Sequence, residues 1–456
     1  MTLVEQLAAF VTRAQYARLS AEAVRALKVR IVDALGCALG ALDGAPVVAV
    51  RAHVFELGGR EACTLVGGGR TAPDRAALFN GALVRYLDFN DSYLAPKETC
   101  HPSDNFGAVL AACEYAKRSG RELLVALAVA YQVQCRLSDV APVRQRGFDH
   151  TTQGSFAAAA GVAKGLGLEE GATSHAIAIA GTALNALRVT RTGSLSRWKG
   201  LAYPHTAFGA THAAFLAKHG ITGPREVFEG NKGFMESIAG PFTIDWSRED
   251  LERVRRTALK RFNAEVHSQS AIEALLELRQ EHDLRAEEIE RVELSVFQVA
   301  FDIIGGGEEG QKIVVRSKEE ADHSLPYLAA VALLDGQLMP AQYQPARIVR
   351  EDVQKLLRRV EVTPDAGLSG RFPELMPCRV RLVLRDGRVL GKAKDDYEGF
   401  PTRPMRWERV VEKFHRLAEP FAPRVARERL VELVDHLEHR EVSELCALLG
   451  GLQKGT

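Results

Sequence analysis

The stretch CRVRLVLRDGRVLGKA, residues 378–393, decides how this chain is divided. Two extended runs, 378–384 and 388–393, flank Arg385-Asp386-Gly387, and an Asp-Gly pair supplies the turn conformation that a tight hairpin requires. Working outward, residues 289–301 place Val292, Leu294 and Val296 on one side, the alternation of a strand. Residues 352–359 form a short helical pattern and 360–362 are extended. These pieces make a small α+β unit.

On either side of it the text is helical. Apolar positions recur at three- and four-residue spacing through residues 2–10, 20–41, 74–87, 107–119 and 121–137, with Ser20 placed as an N-cap. Residues 154–165 and 172–187 are crowded with Ala and Gly, as in tightly packed central helices. His212 and His219, a heptad apart, read as an exposed helix face rather than a metal pair. After Pro404 the helical pattern returns in 407–417 and 424–449. The expected architecture is therefore a mainly α large domain, residues 1–268 and 404–456, with a smaller α+β domain, 269–403, inserted between its parts. A crevice between two such units is a favoured place for a ligand.

A chain of 456 residues is too long for one ordinary core, in keeping with two domains. Lys plus Arg number 59 against 58 Asp plus Glu, so no global field draws it to nucleic acid or an anionic membrane. The first residues carry Glu5 and no basic region ahead of an apolar core, unlike a signal peptide. The apolar run 31–42 contains Asp33 and is too short to span a bilayer. Seven cysteines without a CxxC pair point to buried, reduced thiols and a cytoplasmic setting, not to disulfides, structural zinc or an iron–sulfur cluster.

Polar chemistry concentrates in YLDFNDSYLAPKETCHPSDNFG, residues 86–107. Pro96 and Pro102 forbid a continuous helix there, so the segment is a loop carrying Asp88, Asp91, Lys97, Glu98, His101, Asp104 and Asn105. Taken alone it is as well explained by a capped surface loop as by a site. Four other stretches add to it. Arg144 to Gly154 holds His150 beside Thr151 or Thr152, either of which can cap the next helix. RVTRTGSLSRWK, 188–199, suits a polyanionic small molecule, since Arg grips carboxylates bidentately. KRFNAEVHSQ, 260–269, and Asp322-His323-Ser324 with Tyr327 complete the inventory. No dinucleotide fingerprint, GxSxG elbow or HExxH is present, which leaves proton chemistry on a carboxylate-bearing substrate.

The segments LDFND, HPSDN, RTGSLSRWKGLAYP, TGPREVFEGNKGF, KRFNAEVHSQ and DHSLPY, collinear over nearly the whole chain, resemble the MmgE/PrpD family. That resemblance implies a helical domain, an α+β lid domain, and a homodimer. The family includes dehydratases of 2-methylcitrate, a cis-aconitate decarboxylase and an iminodisuccinate epimerase. HPSDN and AEVHSQ look like the dehydratase branch, whereas Glu265 stands where the decarboxylase branch has a histidine. By resemblance, catalytic roles fall on Asp91, His101, His150, Lys199, Lys260 and Tyr327, and substrate binding on Arg191, His267, Ser103 and Arg144. The implied reaction is dehydration of 2-methylcitrate or citrate. In it His101, oriented by Asp91, and His150 divide the base and acid roles, and Lys199 and Lys260 hold carboxylates. Neither metal nor cofactor is implied. Isomerisation or epimerisation of a related acid, its decarboxylation, and non-catalytic tricarboxylate binding are the alternatives.

Overall fold

The computed structural model describes residues 1–452 and is mainly α. Two compact units emerge, one of residues 1–190, 200–257 and 406 onward, the other of 191–199 and 258–405. The expected boundary at 268/269 thus lies inside the second unit, and the cationic loop 191–199 groups with residues far along the chain.

In the helical unit the Thr151–Leu166 helix is the axis, and every one of its residues except Lys164 is buried. It packs against Gly120–Val140, Ala202–Lys218, Glu170–Ala183 and Phe106–Tyr115. Its run of alanines explains the arrangement, because small side chains let four neighbours approach one backbone. Gly120–Val140 is long and apolar enough to cross a membrane, but 83% of its apolar window is buried inside this unit. Ser20 caps Ala21–Gly40 as expected, its hydroxyl accepting from the Ala23 N–H at 3.0 Å. His212 and His219 are both exposed, on and just after Ala202–Lys218. All seven cysteines are buried.

Helices approach closely where Phe106–Tyr115 crosses Pro73–Tyr86. A Cβ at Gly107 would lie 2.5 Å from the Gly81 nitrogen and 3.0 Å from the Asn80 carbonyl carbon, both backbone atoms that cannot swing aside. Gly107→Ala is therefore expected to lower stability by about 1–3 kcal/mol, the cost of forcing atoms into a full core. A urea midpoint unchanged from wild type would contradict this crossing.

One helix breaks where continuous periodicity predicts none. The 424–449 pattern resolves into Arg424–Asp435, a short turn at Leu437–His439, and Val442–Gly450. The cause is tertiary: the Gly120 N–H donates to the Arg440 carbonyl at 2.7 Å and the Val442 N–H to the Arg118 carbonyl at 3.0 Å. Backbone groups paired across chains of contact cannot also serve an α-helix.

The second unit holds a four-stranded sheet ordered Val360–Pro364, Ile289–Val296, Cys378–Leu384, Val389–Lys394, with only the first pair parallel. The hairpin forms as read, with Val383 opposite Val389, Cys378 opposite Lys394, and Gly387 at φ 86° in the turn. Cys378, Val380, Leu382 and Leu384 are buried while Arg379 and Arg381 are exposed. The strand expected to reach Phe301 stops at Val296, where the chain turns into a short helix.

The Gln269–Glu281 helix packs on the Cys378–Leu384 and Val389–Lys394 strands and is tied down by Glu273. Its carboxylate meets Lys394 at 2.7 Å, Arg261 at 2.7 Å and also Arg403. Burial opposes its ionisation, but hydrogen bonds from Lys394 and Arg403 hold its carboxyl down at about 2. A depressed carboxyl stabilises above its unfolded value, roughly 4.3, and that stabilisation is lost as pH falls toward the folded value. Glu273→Gln is thus expected to cost about 2 kcal/mol at pH 7. Denaturant titrations should show the gap to wild type closing as pH drops from 5 toward 2; a pH-independent gap would refute the ionic origin.

Candidate active site

The 86–107 segment is not the open loop its prolines suggest. Tyr93–Ala95 and Glu98–Cys100 pair as a small antiparallel hairpin with Pro96 and Lys97 at its tip, followed by a 3-10 turn at Pro102–Asn105. Prolines forbid the helix, but they sit where neither needs to donate to the ladder. Lys97 is exposed. Glu98 is buried and accepts from the Val143 and Arg144 N–H groups at 3.0 and 3.1 Å, stapling the hairpin to the turn that precedes His150.

Asp91 is fully buried. Its Oδ1 accepts from the Ser103 N–H at 3.0 Å and its Oδ2 from the Tyr131 hydroxyl at 2.8 Å. Burial pushes its carboxyl up, against those hydrogen bonds and the charge of Arg30. Its main chain meets His101, whose Nδ1 lies 2.8 Å from the Asp91 carbonyl oxygen. A carbonyl only accepts, so Nδ1 carries the proton, and in the neutral form of the ring it is Nε2 that bears the lone pair. Ser92 Oγ is 3.1 Å from the same Nδ1 and accepts a second, shared bond.

His150 stands at the start of the Thr151–Leu166 helix, its ring centroid 5.4 Å from that of His101. Its Nδ1 is 3.3 Å from Asp149 Oδ1, and Asp149 is fully buried with Arg188 3.7 Å away. The expected cap by Thr151 or Thr152 gives way to Asp149, whose Oδ1 accepts from the Thr151 N–H at 3.2 Å. Thr152 Oγ1 instead accepts from the Ala186 N–H at 3.1 Å. One histidine is thus backed by a neutral carbonyl and the other by a carboxylate. An anion compensates a positive imidazole far better than a carbonyl does.

Around them lies a buried polar network. Asn90 Nδ2 donates to Ser103 Oγ at 2.9 Å and to Asp104 Oδ1 at 2.8 Å. Asn105 Nδ2 donates to Gln134 at 2.7 Å, and the Tyr203 hydroxyl donates to Asn105 Oδ1 at 2.8 Å. Ser103, a candidate substrate contact, is thereby engaged through both its N–H and its hydroxyl. Arg144 is half-buried beside the hairpin.

The second unit carries its own buried cluster. Lys199 Nζ lies 2.6 Å from Asp322 Oδ1 and 2.8 Å from His323 Nδ1, and Lys318 takes the other Asp322 oxygen at 2.7 Å. Burial opposes ionisation of Asp322, and Lys199, Lys318 and His323 overrule it, holding the carboxyl far below the usual range. The Arg191 guanidinium donates to the Lys199 carbonyl at 3.0 Å and so fixes the loop that presents this lysine. The Glu265 N–H donates to the Asp322 carbonyl, which links a second group of residues to the first.

That second group centres on Glu265. His267 Nδ1 is 2.6 Å from its Oε1, and the His267 N–H donates to Oε2 at 2.8 Å. Although burial works against it, His267, with His323 and Lys260 nearby, keeps the Glu265 carboxyl lowered. Lys260 is fully buried. The His267 ring packs against Phe297 and Phe372, and its Nε2 is buried without a hydrogen-bond partner among the described residues. Tyr327 takes a different course: its hydroxyl donates to the Gln342 carbonyl and its ring tilts against Tyr343.

Asp91, Ser103, His101 and His150 are therefore gathered in one unit, and Lys199, Arg191, Lys260 and His267 in the other. Tyr131 is a partner outside the candidates drawn from the sequence, and Asp149 and Glu265 act as partners in ways their positions in the sequence alone do not reveal. A usable signal existed for Tyr131: with Gln132 and Gln134 it interrupts an otherwise apolar helix.

Known proteins resemble this chain over most of its length. The chain matches the MmgE/PrpD N-terminal domain over residues 5–247 and the MmgE/PrpD C-terminal domain over 262–439. It is 28% identical over 410 residues to cis-aconitate decarboxylase of Mus musculus, covering 85% of this chain and 79% of that protein. It is 27% identical over 461 residues to 2-methylcitrate dehydratase of Cupriavidus necator, covering 91% and 90%. Alkylcitrate dehydratase phiI of Fungal sp. (strain ATCC 74256) is 28% identical over 383 residues, covering 76% and 73%.

Proposed function

This chain belongs to the MmgE/PrpD family, and from that premise we propose that it is a hydro-lyase that removes water from 2-methylcitrate, and from citrate, by acid–base catalysis. The observation that carries the reading is the histidine pair, two buried imidazoles 5.4 Å apart with unlike partners. Dehydration needs one group to take a proton and another to give one. His101, whose Nδ1–H is held by the Asp91 carbonyl, takes the proton from the carbon next to a carboxylate at Nε2. Electrons of that C–H bond form the double bond, and the hydroxyl leaves as water with a proton from His150, whose positive form Asp149 supports.

Removing a proton beside a carboxylate builds negative charge on that carboxylate. Lys199, Lys260 and Arg191 are the cations that the family resemblance assigns to substrate carboxylates, and fixed positive charge is worth most where water is excluded. Glu265 holds His267 Nδ1, which leaves Nε2 as the ring atom that could meet a substrate group. Similarity to 2-methylcitrate dehydratase over 91% of the chain supports the choice of substrate. The reading carries with it a homodimer in the cytoplasm.

A second reading, decarboxylation, draws on the 28% identity to the mouse decarboxylase. Incubating chelator-treated protein with 2-methylcitrate, citrate and cis-aconitate separates them. Growth of unsaturated-acid absorbance from the hydroxy acids supports the hydro-lyase. Carbon dioxide from cis-aconitate without such growth would replace it by the decarboxylase, and binding without turnover of any of the three would sink both.

A further inference from the structure

The Trp407–Ala418 helix, from the last part of the chain, packs along Ala21–Gly40. Two glycines set the distance: a Cβ on Gly36 would lie 3.1 Å from the Phe414 Cα, and one on Gly40 3.3 Å from the Leu417 Cβ. Asp33, one turn before Gly36, thereby faces Lys413. The ammonium is 2.7 Å from Asp33 Oδ1, 2.7 Å from the Phe89 carbonyl oxygen, and 3.7 Å from the centre of the Phe89 ring. Lys413, Asp33 and Phe89 are all buried.

Such an arrangement exceeds what packing needs. An apolar residue of similar volume on an apolar partner would hold two helices at least as well as a buried ion pair does. What the lysine adds is direction, since it grips one particular carbonyl from one side. That carbonyl belongs to a segment whose course is already constrained. Asp88 sits at φ 54°, held by Arg85 at 2.6 Å, so the chain reverses immediately before Phe89. Two residues after Phe89 comes the Asp91 carbonyl that binds His101 Nδ1.

We propose that Lys413 is a positioning residue for His101: its ammonium fixes the Phe89 peptide, and through it the Asp91 carbonyl that sets the tilt of the imidazole. The Asn90 and Asp91 side chains tie the same segment to residues 103 and 104. Those bonds act at residues 90 and 91, and Lys413 acts at the Phe89 carbonyl. Without the ammonium, the Phe89 peptide loses that anchor, and the Asp91 carbonyl two residues on shifts with it, taking His101 Nε2 along.

The activity arm of the test rests on the hydro-lyase reading; a second arm does not. Lys413→Met alone strands a buried carboxylate, so the informative variant is Asp33→Asn/Lys413→Met, which removes both charges. Its kcat for 2-methylcitrate is expected to fall roughly tenfold to a hundredfold, the effect of a small misplacement of a catalytic group. KM should stay within about twofold, because the interaction lost acts on the transition state. In parallel, the downfield proton resonance of His101 Nδ1–H, assigned by its disappearance in His101→Ala, should shift or broaden without substrate present. Where the double variant does not fold, Lys413→Arg decides, since it keeps Asp33 paired but cannot place the same compact charge on the carbonyl. An unshifted resonance in a folded variant, or wild-type kcat, overturns the proposal. Wild-type protein inert toward 2-methylcitrate would instead sink the hydro-lyase reading and leave the resonance to decide the role of Lys413.

Discussion

His101→Ala is expected to lower kcat for 2-methylcitrate by roughly a hundredfold to ten-thousandfold, the usual worth of a positioned proton-transfer group. The substitution takes away the 2.8 Å bond to the Asp91 carbonyl and the 3.1 Å contact with Ser92, while Asp91 stays tied to Ser103 and Tyr131 through its carboxyl group. The variant should therefore fold, with circular dichroism and thermal midpoint near wild type, while KM changes little. Near-normal turnover in a folded His101→Ala protein would remove His101 from the mechanism. His150→Ala would then become the test of whether any imidazole is the base.

A second large effect is expected in the other unit, from Lys199→Met. Asp322 there is fully buried and shares its charge among Lys199, Lys318 and His323. Taking away the nearest cation leaves a buried carboxylate less than fully compensated, which costs about 3 kcal/mol. The sign of its pH dependence is fixed by the direction of the shift. Because the carboxyl is held far below its ordinary value, the pair stabilises above roughly pH 3.9 and loses that contribution as acid protonates it. The destabilisation by Lys199→Met should accordingly be full at pH 7 and shrink below pH 4. Urea melts at both pH values measure this directly. The same substitution should lower kcat/KM if Lys199 binds a substrate carboxylate as proposed; a stability loss with unchanged kcat/KM would make Lys199 a scaffold residue.

These effects involve residues of very different legibility. The Asp-Gly hairpin at 378–394 and the capped helix after Ser20 are written in local chemistry, and both appear where the pattern places them. His101 and Lys199 stand out by residue type in short polar runs, so they too could be named. What could not be read is anything that depends on a distant partner. The helix at 424–449 breaks because Arg440 and Val442 pair with Gly120 and Arg118, a cause absent from the segment itself. Residues 191–199 belong with 258–405 for similar reasons: Lys199 answers to Asp322, 123 residues later. The carbonyl that orients His101 is invisible for another reason, since every residue has one and only geometry says which is used.

The pairing of Lys413 with Asp33 and Phe89 also bears on how the protein is made. A ribosome delivers the Phe89 carbonyl 324 residues before the lysine that binds it. At about 5–20 residues per second, that wait is roughly 16–65 s. Throughout it, Asp33 lacks Lys413, and the face of Ala21–Gly40 that receives Trp407–Ala418 lacks that helix. The helical unit therefore closes only at the end of synthesis, and a chain terminated before residue 413 lacks the part that completes its beginning.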